Sequence, residues 1–431
     1  MRPTIAPVNN VTTILPPSTT VVIIGGGIVG LNAALTLAER KVSVVVLEKG
    51  QIAGEQSSRN LGWIRKTNRL ADDIPLAQAS DRLWAEMKDR VGKDVGYRQA
   101  GIMFLANNDK QMEVHEKWLS SVAHLNLDSK LINSKEVREL VPGGIGEWSG
   151  GLYTPSDGRA EPTLASSAIA NTAIRMGVTI VEGCAARNLK LQNGKISGVY
   201  TEKGVIDCDQ VLLAGGQWSR RFLGNLGIKL PTLPLICSVF KTAPMEGPTE
   251  IAVGASNFSF RKHIDGGYII TQRGKLDAPL TIDHLLLGTQ YWNQLKGQRD
   301  FLNISLGKYF FRDLFMPRRW DSQSITPFEQ IRIMDPAANK ILNQEAWYNL
   351  CNAWPIFKSA KIENSWAGLI DVTPDSNPII DHLEKIKGLT IATGFSGHGF
   401  GTSPAAGYLA ADLVSGHKPI IDPSPYSFRR L

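Results

Sequence analysis

Two glycine-rich segments and one arginine-bearing stretch hold residues whose types and spacing could do chemistry. In Val21-Val-Ile-Ile-Gly25-Gly-Gly27-Ile28-Val-Gly30 an apolar run breaks into glycines, and a second apolar run, Val42 to Leu47, ends in Glu48. Gly25 permits a tight turn, Gly27 lets the backbone approach a pyrophosphate, Gly30 lets a helix pack closely on its strand, and Glu48 can accept hydrogen bonds from ribose hydroxyls. The order strand, turn, helix, strand, acid is that of a dinucleotide site, with FAD and NAD both open. Beyond it, Ser57, Ser58 and Arg59 offer donors to an anion, or else cap a helix start. Near the end of the chain, Gly394-Phe395-Ser-Gly397-His398-Gly399-Phe400-Gly401 precedes a helical stretch. Small residues there let backbone N–H groups approach a ring system, and a helix N-terminus favours negative charge beside it. The guanidinium fork of Arg261 can hold a carboxylate in two parallel hydrogen bonds; a surface salt bridge is the plainer alternative.

These residues need elements to place them. Apolar periodicity predicts a helix over Leu31 to Arg40, strands at Val211 to Trp218 and Leu389 to Thr393, and a closing helix through Pro404 to Val414. Strand character at Asn257 to Arg261, Gly267 to Gln272 and Ile362 to Val372 predicts a second, mainly antiparallel sheet. The fold class is α/β: a Rossmann-type nucleotide domain with a mainly antiparallel α+β substrate domain and an inserted helical module. The nucleotide domain is expected from 20–70, 150–228 and 375–431, and the substrate domain from 71–149 and 229–374, with the active site between them. Within the latter, 280–320 mixes Leu285, Tyr291, Trp292, Phe301, Phe310, Phe311 and Phe315 with Lys296, Lys308, Arg312, Arg318 and Arg319. Such a basic amphipathic module can lie on a membrane, lid a site or pack on the rest.

Composition narrows the classes. The chain of 431 residues carries 47 Lys+Arg against 40 Asp+Glu, a net charge of +7 that suits an anionic substrate, an anionic cofactor or an acidic membrane surface. No basic cluster is interleaved with stacking aromatics, which argues against nucleic acid. Cys184, Cys208, Cys237 and Cys351 read as free thiols, and no metal-ligand spacing occurs. The N-terminal stretch to Thr20 has neither an apolar signal core nor a membrane span and is expected to be a loose arm. A cytoplasmic or peripherally membrane-associated location follows.

Gly25 to Glu48, Leu213-Ala-Gly215-Gly-Gln-Trp218, Thr373-Pro-Asp375 and the glycine loop Gly394 to Gly401 together resemble the D-amino-acid oxidase and glycine oxidase superfamily of FAD enzymes. Ile52 to Arg59, Cys184 to Arg187, Thr201 to Gly204, Pro231 to Pro234 and Pro327 to Gln330 bring the resemblance nearer to the bacterial L-amino acid deaminases and oxidases. That resemblance spans residues 20 to 431 and implies FAD, with Ile28, Lys49, Gln56, Gly62, Ala186, Gly215, Trp218, Gly394, Gly397, His398, Gly399, Phe400 and Gly401 against it. It places the carboxylate-binding arginine at Arg261 and marks His398 as scaffold rather than base. The module at 280–320 sits where those deaminases carry an insertion implicated in membrane attachment, although their N-terminal hydrophobic anchor is absent here. Related secondary-amine oxidases attach flavin through a cysteine; Gly368 stands at that place, so FAD is expected to be non-covalent.

The resemblance implies oxidative deamination of L-amino acids to 2-oxo acids and ammonia, by hydride transfer from the α-carbon to flavin N5, with O2 or a respiratory acceptor taking the electrons. It departs from the family at Trp63, where a substrate-pocket glutamine is expected, and at Asp371, where a small apolar residue is expected. A carboxylate at Asp371 would favour a cationic or hydrogen-bonding substrate side chain, with Trp63 and Phe395 as aromatic walls. Two alternatives stand beside this reading: a glycine or sarcosine-type secondary-amine oxidase, and a flavin-carrying subunit that only relays electrons. Oligomeric state is left open.

Overall fold

The computed structural model describes residues 2–292 and 301–431. Its first sheet is built on the strand Ser18–Ile24, which pairs in parallel with Val44–Leu47 on one side and with Gly204–Leu213 on the other. Thr179–Val181 extends the sheet beyond Val44–Leu47, and Leu389–Thr393 extends it beyond Gly204–Leu213. Both faces are covered, which explains why these strands read as continuous apolar runs. Val21, Ile23, Val44 and Val46 point to one core, and Val22, Ile24, Val45 and Leu47 to the other.

The first of these cores is closed by two helices. Ile28–Glu39 is buried along nearly its whole length and packs against Gly399–Ser415, where Gly407 is so close to Asn32 that a side chain would not fit. Pro404 lies within the latter helix and cannot donate to Phe400; the Ser403 hydroxyl, 2.8 Å from that carbonyl, donates instead.

The second sheet is mainly antiparallel. Leu233–Thr242 pairs along its whole length with Ile362–Val372 and also with Tyr268–Thr271, which in turn pairs with Ser259–Lys262. A two-stranded ribbon, Trp63–Ile64 with Gly158–Arg159, lies at the junction of the two sheets.

The limits expected at 70 and 150 move. Strand Gly150–Thr154 pairs with Ile102–Ala106 in the second sheet. Conversely, Leu76, Ala79, Trp84, Met87, Val91 and Val95 are buried in the core of the first, because helix Ile74–Ala85 packs on Gly399–Ser415. The N-terminal arm is also less loose than expected: Ile5, Val8 and Val11 pack on the nucleotide core, and Thr12 bridges to Val181.

The described part of the module at 280–320 packs on one side. The Tyr291 hydroxyl donates to the carbonyls of Val372 (2.6 Å) and Pro231 (2.9 Å), and Asp283 pairs with Arg220 and Arg318. On the other side Leu285 is 73% and Phe315 79% exposed, and helix Lys308–Phe315 buries no residue. Lys296 lies outside the described residues. Among the described residues no helix is long and apolar enough to cross a membrane.

Candidate functional site

A cavity of about 390 Å³ opens where Ser18–Ile24 ends and takes its lining from both sheets. Gly25 stands at φ +112°, and a side chain there would drive into the Ala214 carbonyl. At Gly30 a side chain would meet the carbonyl of Gly25, so this glycine serves packing and does not line the cavity. Gly27 is extended, precedes helix Ile28–Glu39 and borders the cavity, where a Cβ would meet only Ser57 Oγ, at 3.2 Å. Glu48 accepts from the Gly26 and Gly50 N–H groups at 2.9 and 2.7 Å. Burial pushes its carboxyl up to about 7 despite Lys49 beside it. Ala186 and Cys184 line the same end.

Further along, Gly215, Trp218, Gly62, Gly397, His398, Gly399, Phe400 and Gly401 line the cavity. Close approach requires several of these glycines. A Cβ at Gly401 would lie 2.8 Å from the Trp63 carbonyl, and one at Gly62 2.8 Å from Arg261 Nη2. Gly394, at φ +71°, lies behind the lining and donates its N–H to Asp371 Oδ2 at 2.8 Å.

The far end is aromatic and basic. Trp63 stands edge-on to Phe104, with centroids 5.7 Å apart, and the guanidinium carbons of Arg273 and Arg65 lie 4.4 and 5.8 Å from the Phe104 centroid. Arg69, buried nearby, pairs with Asp73. Arg65 donates to the Thr67 carbonyl and, at 3.0 Å, to His398 Nε2. Because a guanidinium can only donate, His398 Nε2 is the acceptor, and the ring proton is assigned to Nδ1. Burial, followed by the charges of Arg69 and Arg65, holds His398 well below the usual histidine range, so it is neutral. Burial lowers Arg273 to about 10, and burial with Arg69 and Arg273 lowers Arg65 to about 9. Among the described residues neither Arg65 nor Arg273 has an ion-pair partner.

A family model described as FAD dependent oxidoreductase (DAO) matches residues 20–413. The chain belongs to that family. Among solved structures, L-amino acid deaminase from Proteus myxofaciens, in complex with anthranilate, superposes with a TM-score of 0.95 at 32% identity, covering 100% of this chain and 97% of that one. The L-amino acid deaminase from Proteus vulgaris superposes with a TM-score of 0.93 at 33% identity, covering 98% and 100%. Among curated proteins, sarcosine oxidase subunit beta from an Arthrobacter species is 25% identical over 416 residues, covering 94% of this chain and 89% of that one. This DAO-family chain is therefore an FAD-dependent amino-acid oxidoreductase.

The residues present fit FAD. The glycine turn, the fixed Glu48 carboxylate and the glycine-lined second half form one continuous surface, and the buried His398 Nδ1 has no protein partner. Gly27 and Ile28 at the helix N-terminus would face the pyrophosphate, Glu48 the ribose, and Gly397 to Gly401 the ring system.

Several expected contacts are spent on the protein itself. Lys49 Nζ, although it borders the cavity, donates to Glu55 and to the Ile331 and Arg332 carbonyls, each at 2.8 Å. Arg59 pairs with Asp335 and donates to the Ala367 carbonyl at 2.9 Å. Ser58 turns away from the cavity toward the Glu55 carbonyl, while Ser57 Oγ accepts from the Ile28 N–H at 2.9 Å. Gln56 links Asp371, through Nε2 at 2.7 Å, to the N–H of Gln217 at 3.2 Å.

Two substrate-side expectations change. Arg261 is 1% exposed and does not line the cavity. Its fork holds Glu161 at 2.6 and 2.8 Å. Burial would raise the Glu161 carboxyl, but Arg261 overrides this and holds it below the usual range. Asp371 does border the cavity, yet its oxygens are taken by Gln56, Gly394 and Thr393, and burial raises its pKa. It braces the glycine loop, leaving little of the carboxylate for a substrate side chain. Phe395 and Trp63 line the cavity as expected. Sequence reasoning missed Arg65, Phe104 and Arg273. Arg273 follows the apolar run Tyr268 to Thr271, a signal as good as that at Arg261.

Two outcomes are expected. Glu161→Ala leaves Arg261 buried without a counter-ion and should cost about 3–5 kcal/mol; a denaturant midpoint unchanged from the parent would refute the pairing. Glu48 holds its proton in the folded chain up to about 7, against an ordinary value of 4.5. Between those values the folded state binds the extra proton, so this contribution to the stability of flavin-free protein falls as pH rises from about 4.5 to about 7 and is flat above. Glu48→Gln should lack this dependence, and parallel stability curves for the two proteins would remove it.

Proposed function

We propose that this enzyme oxidises the α-carbon of L-amino acids to the imine, which water hydrolyses to a 2-oxo acid and ammonia, with FAD held non-covalently. The observation that carries the reading is the pair Arg65 and Arg273, two guanidinia without ion-pair partners among the described residues, at the end of the cavity that begins at the glycine turn. A guanidinium is the side chain suited to clamp a carboxylate and so fix the orientation of the α-carbon. The clamp assigned from sequence to Arg261 passes to this pair. When bound, FAD supplies the acceptor for the hydride that leaves the α-carbon.

The chain's own residues do the rest. Trp63, Phe104 and Phe395 wall the reacting end and exclude water. His398, neutral and with Nε2 occupied by Arg65, is unsuited to act as a base, so the substrate amine is deprotonated before it reacts. The likeness to the two Proteus deaminases supports the L configuration. Non-covalent attachment is supported by chemistry at Gly368. Cys237 lies directly opposite it in the neighbouring strand and borders the cavity, but burial pushes its thiol pKa up, which disfavours the nucleophilic thiolate.

The likeness to sarcosine oxidase subunit beta supports a second reading, oxidation of a secondary amine, and the products separate the two. Anaerobic mixing with L-amino acids should bleach the flavin band, and aerobic turnover should release ammonia and a 2-oxo acid. Bleaching by sarcosine alone, with formaldehyde as product, would favour the second reading. Acid precipitation of the holoenzyme should leave the flavin in the supernatant; a yellow pellet would mean a covalent link.

A further inference from the structure

One guanidinium fork suffices to hold one carboxylate. This cavity holds two beside the same Phe104 ring, with Arg273 4.4 Å and Arg65 5.8 Å from its centroid, and neither has an ion-pair partner among the described residues. The other two arginines of the lining are already neutralised, Arg69 by Asp73 and Arg59 by Asp335. Arg65 gives part of its fork to Thr67 and His398, while among the described residues Arg273 has no hydrogen-bond partner.

The surroundings of Arg273 supply a further donor. Its Nη1 packs over Gly254, where any side chain would collide with it. Gly254 is paired in register with Ser259, and Ser259 with Thr271, two residues before Arg273. Ser259 is 1% exposed, borders the cavity, and its hydroxyl has no partner among the described residues. A buried hydroxyl without a protein partner thus lies in register with the glycine over which the Arg273 guanidinium packs.

We infer that the preferred substrates are amino acids carrying a second carboxylate, one carboxylate to each of Arg65 and Arg273, with Ser259 Oγ donating beside Arg273. The physical reason is the cost of the alternative. An apolar side chain would leave one buried guanidinium without a counter-ion, and a cationic side chain would add repulsion. A dicarboxylic amino acid would supply acceptors to Arg65, to Arg273 and to the Ser259 hydroxyl. The cation-selecting role expected of Asp371 is also removed, because that carboxylate is held by Gln56 and Gly394.

This substrate class rests on the amino-acid oxidation proposed above, and two experiments on the holoenzyme keep the two apart. The first needs no turnover: titration with succinate, glutarate and adipate, followed by perturbation of the oxidised flavin spectrum and by calorimetry, against butyrate, pentanoate and hexanoate. At least one dicarboxylate should bind roughly tenfold or more tighter than its monocarboxylate partner. Arg65→Gln and Arg273→Gln should each abolish that preference, and Ser259→Ala, which removes only a hydroxyl without a protein partner, should weaken it severalfold. Equal binding of the two acid series by the parent protein, or a preference that survives both arginine substitutions, would overturn the inference. The second is anaerobic bleaching by L-aspartate and L-glutamate against L-leucine, L-phenylalanine and L-lysine. Faster bleaching by the acidic pair is expected; faster bleaching by the neutral or basic ones overturns the substrate class and leaves the oxidation standing, and no bleaching by any amino acid overturns both.

Discussion

The buried pair of Arg261 and Glu161 joins the two halves of this molecule at the point where the site is made. Glu161 precedes helix Pro162–Arg175, which covers the nucleotide sheet, whereas Arg261 lies in a strand of the substrate sheet. Both are 1% exposed, and the fork meets the carboxylate with two hydrogen bonds. Such a pair gains little over apolar packing, but it tolerates almost no displacement, since separating buried charges is costly. Arg261 Nε also donates to the Leu61 carbonyl, and Gly62 has no room for a side chain beside the guanidinium. The segment held in this way leads directly into Trp63 and Arg65, so an ion pair outside the cavity sets the position of its wall.

A similar division of labour recurs on the opposite side. Asp371, at the end of the long strand Ile362–Val372, accepts from Gln56 on one oxygen and from the Gly394 N–H on the other. One buried carboxylate thereby ties together the loop after the second nucleotide strand, the substrate sheet and the final glycine loop. Lys49 and Glu55 do comparable work near Trp218 and Met334. Charged residues that border a cofactor cavity need not touch the cofactor. Here many of them are paired with protein partners, and among the described residues the lining arginines without an acidic partner, Arg65 and Arg273, stand out for that reason.

Chemistry and packing also share the glycines. Gly25 and Gly30 are required because backbone stands where their side chains would be, and Gly27 and Gly397 because a cavity borders them. The neutral His398 belongs with this scaffold: its accepted hydrogen bond from Arg65 joins the glycine loop to the substrate wall.

Much of the fold was legible in the sequence because its signals are local. The glycine turn, the continuous apolar strands, the strand Ile362 to Val372 and the closing helix are each set by residues within a few positions of one another, and hydrophobic period and turn chemistry report such neighbourhoods. The cofactor end was legible for the same reason, since Gly27, Glu48 and the loop from Gly397 to Gly401 act largely through the backbone they belong to. The substrate end was not. Whether an arginine faces a ligand or a protein acid depends on what lies across from it, and for Arg261 that is Glu161, a hundred positions earlier in the chain. Sequence could show that arginines were present at 65, 261 and 273; only the packing of one sheet against the other decided which of them was already paired and which two were left to receive a carboxylate.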